Sequence, residues 1–316
     1  MKKLKLVAII LIFFASTILA LSIIHSILLK AESKKIVPNG ILVEVNNHKL
    51  HIFTEGDKNN KPTLVFMSGS QTPAPVYDFK QLFSLLKNDY FIAVIEKIGY
   101  GYADIENTDR DIDIILEESR AALYSAGING PYVLFPHSIS GLEALYWLSK
   151  YPEEIKAIIG LDMAIPEHYN HLTNMENIIK LQIGFMKVIS KIGIHRFYYP
   201  DKVDKNILTV NEYKQFKYLI NRNFMNVTVS KNEPLSVFTN AEKVHKVNNT
   251  NGIGKVLLFS SNGKELGGHI WISIQKEFAE RMAGELILLD CGHYIHHFEP
   301  QKIAEKSKQY ISKLLE

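Results

Sequence analysis

The sequence predicts an α/β protein: a doubly wound, mostly parallel sheet with an inserted helical cap and an N-terminal transmembrane helix. Three observations carry this reading. Short runs rich in Val, Ile, Leu and Phe alternate with helical patterns. One interval of roughly ninety residues breaks that rhythm and needs structure of its own. Leu6 to Leu29 are 24 residues without a formal charge. Composition agrees: 47% apolar against 22% charged residues in a chain of 316 excludes intrinsic disorder. The single cysteine, Cys291, excludes a disulfide scaffold and any zinc site of the CxxC type.

Residues 1–35 form the anchor and its flank. They hold six lysines and one glutamate, a net +5, which leaves the other 281 residues at −2. The overall charge of +3 is therefore a property of the leader, and the body carries no basic footprint for nucleic acid. A helix of about 20 apolar residues spans a bilayer core. Residues 6–29 are long enough and run past Ala20-Leu21-Ser22, so an uncleaved anchor is favoured over a cleaved signal peptide. Lys2, Lys3 and Lys5 favour a cytoplasmic N-terminus, although Lys30, Lys34 and Lys35 oppose it. With one span, the body is expected on the extracytoplasmic side of the cell membrane. His25 reads as an interfacial residue.

The body begins with a hairpin over residues 40–54, alternating around Asn46-Asn47. PTLVFM, YFIAVIE, PYVLFP, IKAIIGLD, KVLLFSS and ELILLD follow as strands buried on both faces. Helices are expected over 77–88, 111–127, 139–151, 270–282 and 299–315. The core thus occupies 36–164 and 255–316, with the cap over 165–254, above the carboxyl edge of the sheet where ligands bind in open α/β folds. The cap is aromatic, and Phe185, Phe197, Phe216 and Phe224 are expected in its core or along an acyl pocket.

PYVLFP runs into His137-Ser138-Ile139-Ser140-Gly141 and then a helix. A serine at such a strand-to-helix turn projects its hydroxyl above the sheet edge, over a helix N-terminus that favours negative charge. Near the C-terminus, ELILLD is followed by Cys291-Gly292-His293. Here the chain resembles the α/β-hydrolase family, over nearly all of residues 40–316. PHSISG is similar to the family's GHSxGG, with Pro136 and Ser140 where glycines are usual. The resemblance implies Ser138 as nucleophile and His293 as general base. It implies an orienting acid between them in the chain. The favoured residue is Asp162, at the end of GLDMAIP; Glu265, after KVLLFSS, is the alternative. The oxyanion hole would be the backbone N–H groups of Ile139 and of Ser70, in Ser68-Gly69-Ser70, where the family often has His-Gly. EKIGYGYAD resembles a family loop, with Glu96, Gly99, Gly101 and Asp104 as scaffold.

The function expected is a membrane-anchored serine hydrolase of esterase type, cleaving a small-molecule ester or similar acyl bond. No cofactor is expected. His296 and His297 follow His293, but without a motif such as HExxH no metal is assigned, and they read as helix-cap or pocket-rim residues. Dehalogenases and epoxide hydrolases of this fold attack with aspartate, unlike Ser138. Two alternatives stay open: an aminopeptidase similar to proline iminopeptidases, with Glu167, Glu176, Glu212 or Glu233 holding a substrate amine, and a non-catalytic ligand-binding protein. Oligomeric state is left open.

Overall fold

The computed structural model describes residues 2–58, 61–170, 176–198, 203–247 and 255–315. The first element is a long helix, α1 (Lys2–Ser33), with a mean hydropathy of 2.8 over its most apolar window. By length and composition it can cross a membrane.

Eight strands make one sheet in the order β1-β2-β4-β3-β5-β6-β7-β8. β1 (Ile41–Val45) and β2 (His48–Glu55) are the expected hairpin. Asn46 and Asn47 at its tip both have positive φ, which suits the twist of the strands they join. β2 pairs antiparallel with β4 (Phe91–Glu96). From there β3 (Thr63–Met67), β5 (Tyr132–Pro136), β6 (Ile155–Leu161), β7 (Val256–Ser260) and β8 (Glu285–Leu288) continue in parallel. β3, β4, β5 and β7 are buried along their whole length, as their unbroken apolar runs require. β8 departs from the expectation of burial on both faces: as the edge strand it is partly exposed.

Helices cover both faces. α2 (Pro75–Asp78), α3 (Lys80–Ser84) and, later, α13 (Pro300–Leu315) bury Phe79, Leu82, Ile303 and Tyr310 against one side. α4 (Ile112–Ser125), α5 (Ser140–Lys150) and α11 (His269–Arg281) cover the other. The single helix expected over 77–88 is two short helices broken at Phe79, whose ring packs on Phe66 of β3. The short α12 (Ile295–Phe298) precedes α13.

Between β6 and β7 lie α6 (Pro166–Asn170), α7 (Glu176–Ile192), α8 (His195–Tyr198), α9 (Val210–Asn223) and α10 (Glu233–Val247). The described part of the insertion is thus mostly helical. Thr209 starts α9 through a capping box with Glu212. Phe216, Leu219 and Ile220 of α9 bury against Tyr77 and Tyr102 of the core. The end of α9 is bonded to core loop carbonyls: Arg222 donates to Gly101 and Ala103, Asn223 to Pro73 and Gly101, and Asn226 to Gly99.

α1 packs on α7 and α9. Its covered residues are Ile18, Leu21, Ser22, His25, Leu29 and Glu32, spaced so that they share one helical face. At the far end Arg196 of α8 grips the Glu32 carboxylate with two 2.8 Å bonds, and its Nε donates to His25 Nδ1 at 2.7 Å. Asn221 of α9 adds bonds to Glu32. His25, read from sequence as an interfacial residue, is buried with its side chain against the cap. A bidentate, mostly covered pair is geometrically specific, and losing one partner strands the other charge. In detergent-solubilised protein, Glu32→Ala is expected to make trypsin cut after Arg196 several-fold faster, while the α/β core melts unchanged. Equal cleavage rates would show that the pair does not hold the cap.

Candidate active site

β5 and α5 meet at Ser138, whose φ is +55°, a left-handed conformation that a non-glycine residue adopts at a cost. The turn is held tightly. Ser138 O accepts from Gly141 N and Ala164 N, at 2.9 and 2.7 Å. A Cβ on Gly141 would come within 2.2 Å of Ala164 O, so nothing larger fits. One on Gly69 would meet Ser138 Cβ at 2.8 Å. Ser140 stands two residues after Ser138 and is fully buried; its hydroxyl lies within bonding distance of Met67 O and His137 O, at 2.7 and 2.8 Å, tying the turn to β3. Pro136, which lacks an N–H, sits between the last β5–β6 ladder pair, Leu134 with Ile158, and an isolated bridge between His137 and Leu161.

Asp162 follows β6 at a φ of +46° and is wholly buried. Its Oδ2 stands 2.6 Å from His293 Nδ1. Its Oδ1 accepts from Ser261 N at 2.9 Å, Trp271 Nε1 at 2.8 Å and Ser260 Oγ at 3.3 Å. Both oxygens of the buried carboxylate are thus met by polar partners. Glu265 bonds to the backbone N–H of His293 at 3.3 Å and does not reach the ring. The acid and the imidazole are thus brought together through Asp162, with Glu265 bracing the loop. The His293 ring lies over His137, with centroids 4.7 Å apart, next to Ser138 in the chain. Ser138 and His293 share no hydrogen bond in this structure.

The backbone N–H groups of Ile139 and Ser70 donate to no acceptor among the described residues. Both residues line one cavity of about 180 Å³, together with Gln71, Tyr169, Glu233 and Val237. Of the four glutamates named from sequence, Glu233 lines this cavity. Its Oε2 takes Ser70 Oγ at 2.7 Å and its Oε1 takes Tyr100 OH at 2.5 Å. Burial and this carboxylate push the Tyr100 hydroxyl well up, so it donates. Glu167 pairs with Arg281, Glu212 belongs to the α9 cap, and the Glu176 side chain lies outside the described residues. Of the cap aromatics, Phe216 and Phe224 are buried, but Phe185 and Phe197 belong to neither core nor pocket.

His296 and His297 do not cap a helix. Their Nε2 atoms contact the Asp78 carboxylate at 2.8 and 3.1 Å, behind the His137 ring. Burial alone would raise the Asp78 carboxyl; His297 and His296 outweigh it and hold it well below the usual range. The three ligand atoms lie within 4.8 Å of one another, a closeness that the His–carboxylate bonds account for. Glu96, read as scaffold, is buried and accepts from the N–H groups of Val76 and Tyr102. Trp271 and Asp78 carry no signal in the sequence: each belongs to an ordinary helical pattern, and folding brings them beside His293 and His296.

No protein-family model matches the chain. The uncharacterized protein YbdG of Bacillus subtilis is 32% identical over 323 residues, covering 98% of each chain. Among solved structures, a haloalkane dehalogenase DbeA variant from Bradyrhizobium elkanii superposes with a TM-score of 0.61 at 13% identity, over 87% of this chain and 96% of that one. A carboxylesterase from Nitrososphaera gargenis gives 0.62 at 13%, over 87% and 98%. A bacterial membrane phospholipase A gives 0.59 at 15% and covers 99% of both chains.

Gly141→Ala is expected to cost about 1–3 kcal/mol, because the backbone of Ala164 cannot yield as a side chain could; an unchanged melting temperature would contradict the close approach. Burial pushes His296 down to about 4, with Asp78 opposing. A folded value below the unfolded one of about 6.5 makes stability full above that pH and lost on acidification toward 4. Melting temperature should therefore fall across this window, and less steeply in His296→Asn.

Proposed function

Because the chain has the α/β-hydrolase fold and belongs to one family with YbdG of Bacillus subtilis, we propose that it is a membrane-anchored serine hydrolase acting on an ester or similar acyl bond. One observation carries the reading: a fully buried Asp162 bonded at 2.6 Å to His293, on the loop over the Ser138 turn.

In this mechanism Ser138 Oγ attacks the carbonyl carbon as His293 Nε2 takes its proton. Asp162 holds the ring through Nδ1 and stabilises the imidazolium that forms. The developing oxyanion takes the free N–H groups of Ile139 and Ser70. His293 then protonates the leaving alkoxide, which leaves an acyl group on Ser138. Water, deprotonated by His293, attacks that acyl group and regenerates the serine. The Ser138–His293 bond, open here, closes when substrate fills the cavity, as catalytic bonds commonly tighten on binding. α1 supports membrane anchoring, and the lysines at its start favour a body on the extracytoplasmic side. The dehalogenases of this fold attack with aspartate, whereas this turn carries Ser138, so carbon–halogen cleavage is not part of the proposal.

A fluorophosphonate probe should label the protein, and Ser138→Ala should abolish both labelling and turnover of nitrophenyl esters. Labelling that survives the substitution would remove Ser138 from the mechanism. Asp162→Ala is expected to lower turnover by about 10³–10⁴-fold, and Glu265→Ala by less than about tenfold. The reverse order would make Glu265 the acid. Glu233 motivates a second reading, recognition of a substrate amine, since its carboxylate lines the cavity. That reading predicts hydrolysis of aminoacyl amides which Glu233→Gln abolishes while nitrophenyl ester turnover persists; no amide turnover by the unaltered protein rejects it.

A further inference from the structure

One face of α7 is uncovered. Ile178, Leu181, Phe185 and Val188 recur at steps of three and four, which places them on one stripe. They are 51, 75, 65 and 55% exposed. Beyond them Phe197 of α8 is 81% exposed. Isolated exposed apolar residues are ordinary, but a continuous row on one helix marks a contact surface. The helix is also basic: Lys180, Lys187 and Lys191 outnumber Glu176.

The position of α1 says what covers this row. α7 packs on α1, whose covered stripe begins at Ile18. A bilayer core takes about 20 helical residues, so a span counted from Lys5 ends near His25. Ile18, Leu21 and Ser22 then lie at membrane depth. Gly193, just past α7, abuts His25, with a Cβ on it falling 2.7 Å from His25 Cβ. A helix packed beside this part of a membrane span cannot stand clear of the bilayer surface. The inner side of α7 reaches the candidate site, because Lys180 and Ile183 line the cavity that holds Ser70 and Ile139.

From this we infer that α7 lies in the headgroup layer of the bilayer that α1 spans, with its apolar row among the upper acyl chains, and that the substrate is a membrane-resident acyl lipid entering the cavity along α7. Lys187 and Lys191 meet lipid phosphates, as on other interfacial basic helices. The substrate class rests on the hydrolase reading above; the seating of α7 does not.

The test uses the full chain reconstituted in vesicles of phosphatidylcholine and phosphatidylglycerol. Phe185→Trp puts an indole on the row, while Trp147 and Trp271 are buried and their signal is subtracted from the unaltered protein. Brominated acyl chains should quench the introduced indole about twofold or more, since such helices sit about 5–10 Å into the boundary. An unquenched, water-like emission overturns the seating. So does an indole shielded from bromine by a second copy of the chain. Next, Leu181→Asp with Phe185→Asp should slow phosphatidylglycerol hydrolysis in vesicles about tenfold or more, with nitrophenyl butyrate turnover within about twofold of normal. Equal loss on both substrates, or none on the lipid, overturns the substrate class. A protein that hydrolyses neither ester defeats the hydrolase reading, and the quenching result still decides where α7 sits.

Discussion

A carboxylate kept wholly out of water organises this site. A buried carboxylate costs free energy unless polar partners meet its oxygens. Asp162 is accommodated because four polar partners converge on it: the Ser260 hydroxyl at the end of β7 and the Ser261 amide just after it, the Trp271 indole at the start of α11, and the His293 imidazole beyond β8. The left-handed backbone at Asp162 aims the side chain at that meeting point. The ends of three parallel strands are thereby locked to one another, and the strained turn at Ser138 is held against the same edge through Ala164 N. Satisfying one buried charge and fixing the relative placement of the candidate nucleophile, base and acid are the same structural act.

Much of this was legible in the chain. Unbroken apolar runs separated by helical periods specify a parallel sheet, because a strand buried on both faces has no polar side to show. Ser138 and His293 could be named as candidates because each follows such a run in a short loop. The acid could not be decided, since Asp162 and Glu265 both follow core strands, and the difference between them is which carboxylate points at a ring rather than at a backbone amide. Glu233 could be named but not chosen among four glutamates, since its distinction is a cavity built by the loop after β3, the turn before α5, and α6, α7 and α10 together. The Asp78–His296–His297 group was invisible because its members are 218 and 219 positions apart in sequence. The partly exposed β8 and the break at Phe79 were missed for a similar reason: edge position and tertiary packing override local pattern.

The departures at Pro136 and Ser140 have local accommodations. Pro136 withholds its N–H in the gap between the Leu134–Ile158 pair and the His137–Leu161 bridge to β6. Ser140 replaces a glycine of the resembled family, yet its hydroxyl is fully used on the carbonyls of Met67 and His137. Its side chain thus adds a tie between the turn and β3 that a glycine cannot make.

α9 bonds in two directions. On one side Asn221 and Gln215 hold Glu32, Lys35 and Val37 of the leader; on the other Arg222, Asn223 and Asn226 hold the loop from Gly99 to Ala103. An enzyme on a flexible tether samples a volume set by linker length, and its encounter rate falls as the tether grows. Here the long apolar helix is joined to the α/β body by a rigid mount. With that helix in a bilayer, as proposed, the body would keep one height and one tilt, and its reach would be a thin layer whose thickness is set by side-chain hydrogen bonds instead of chain length.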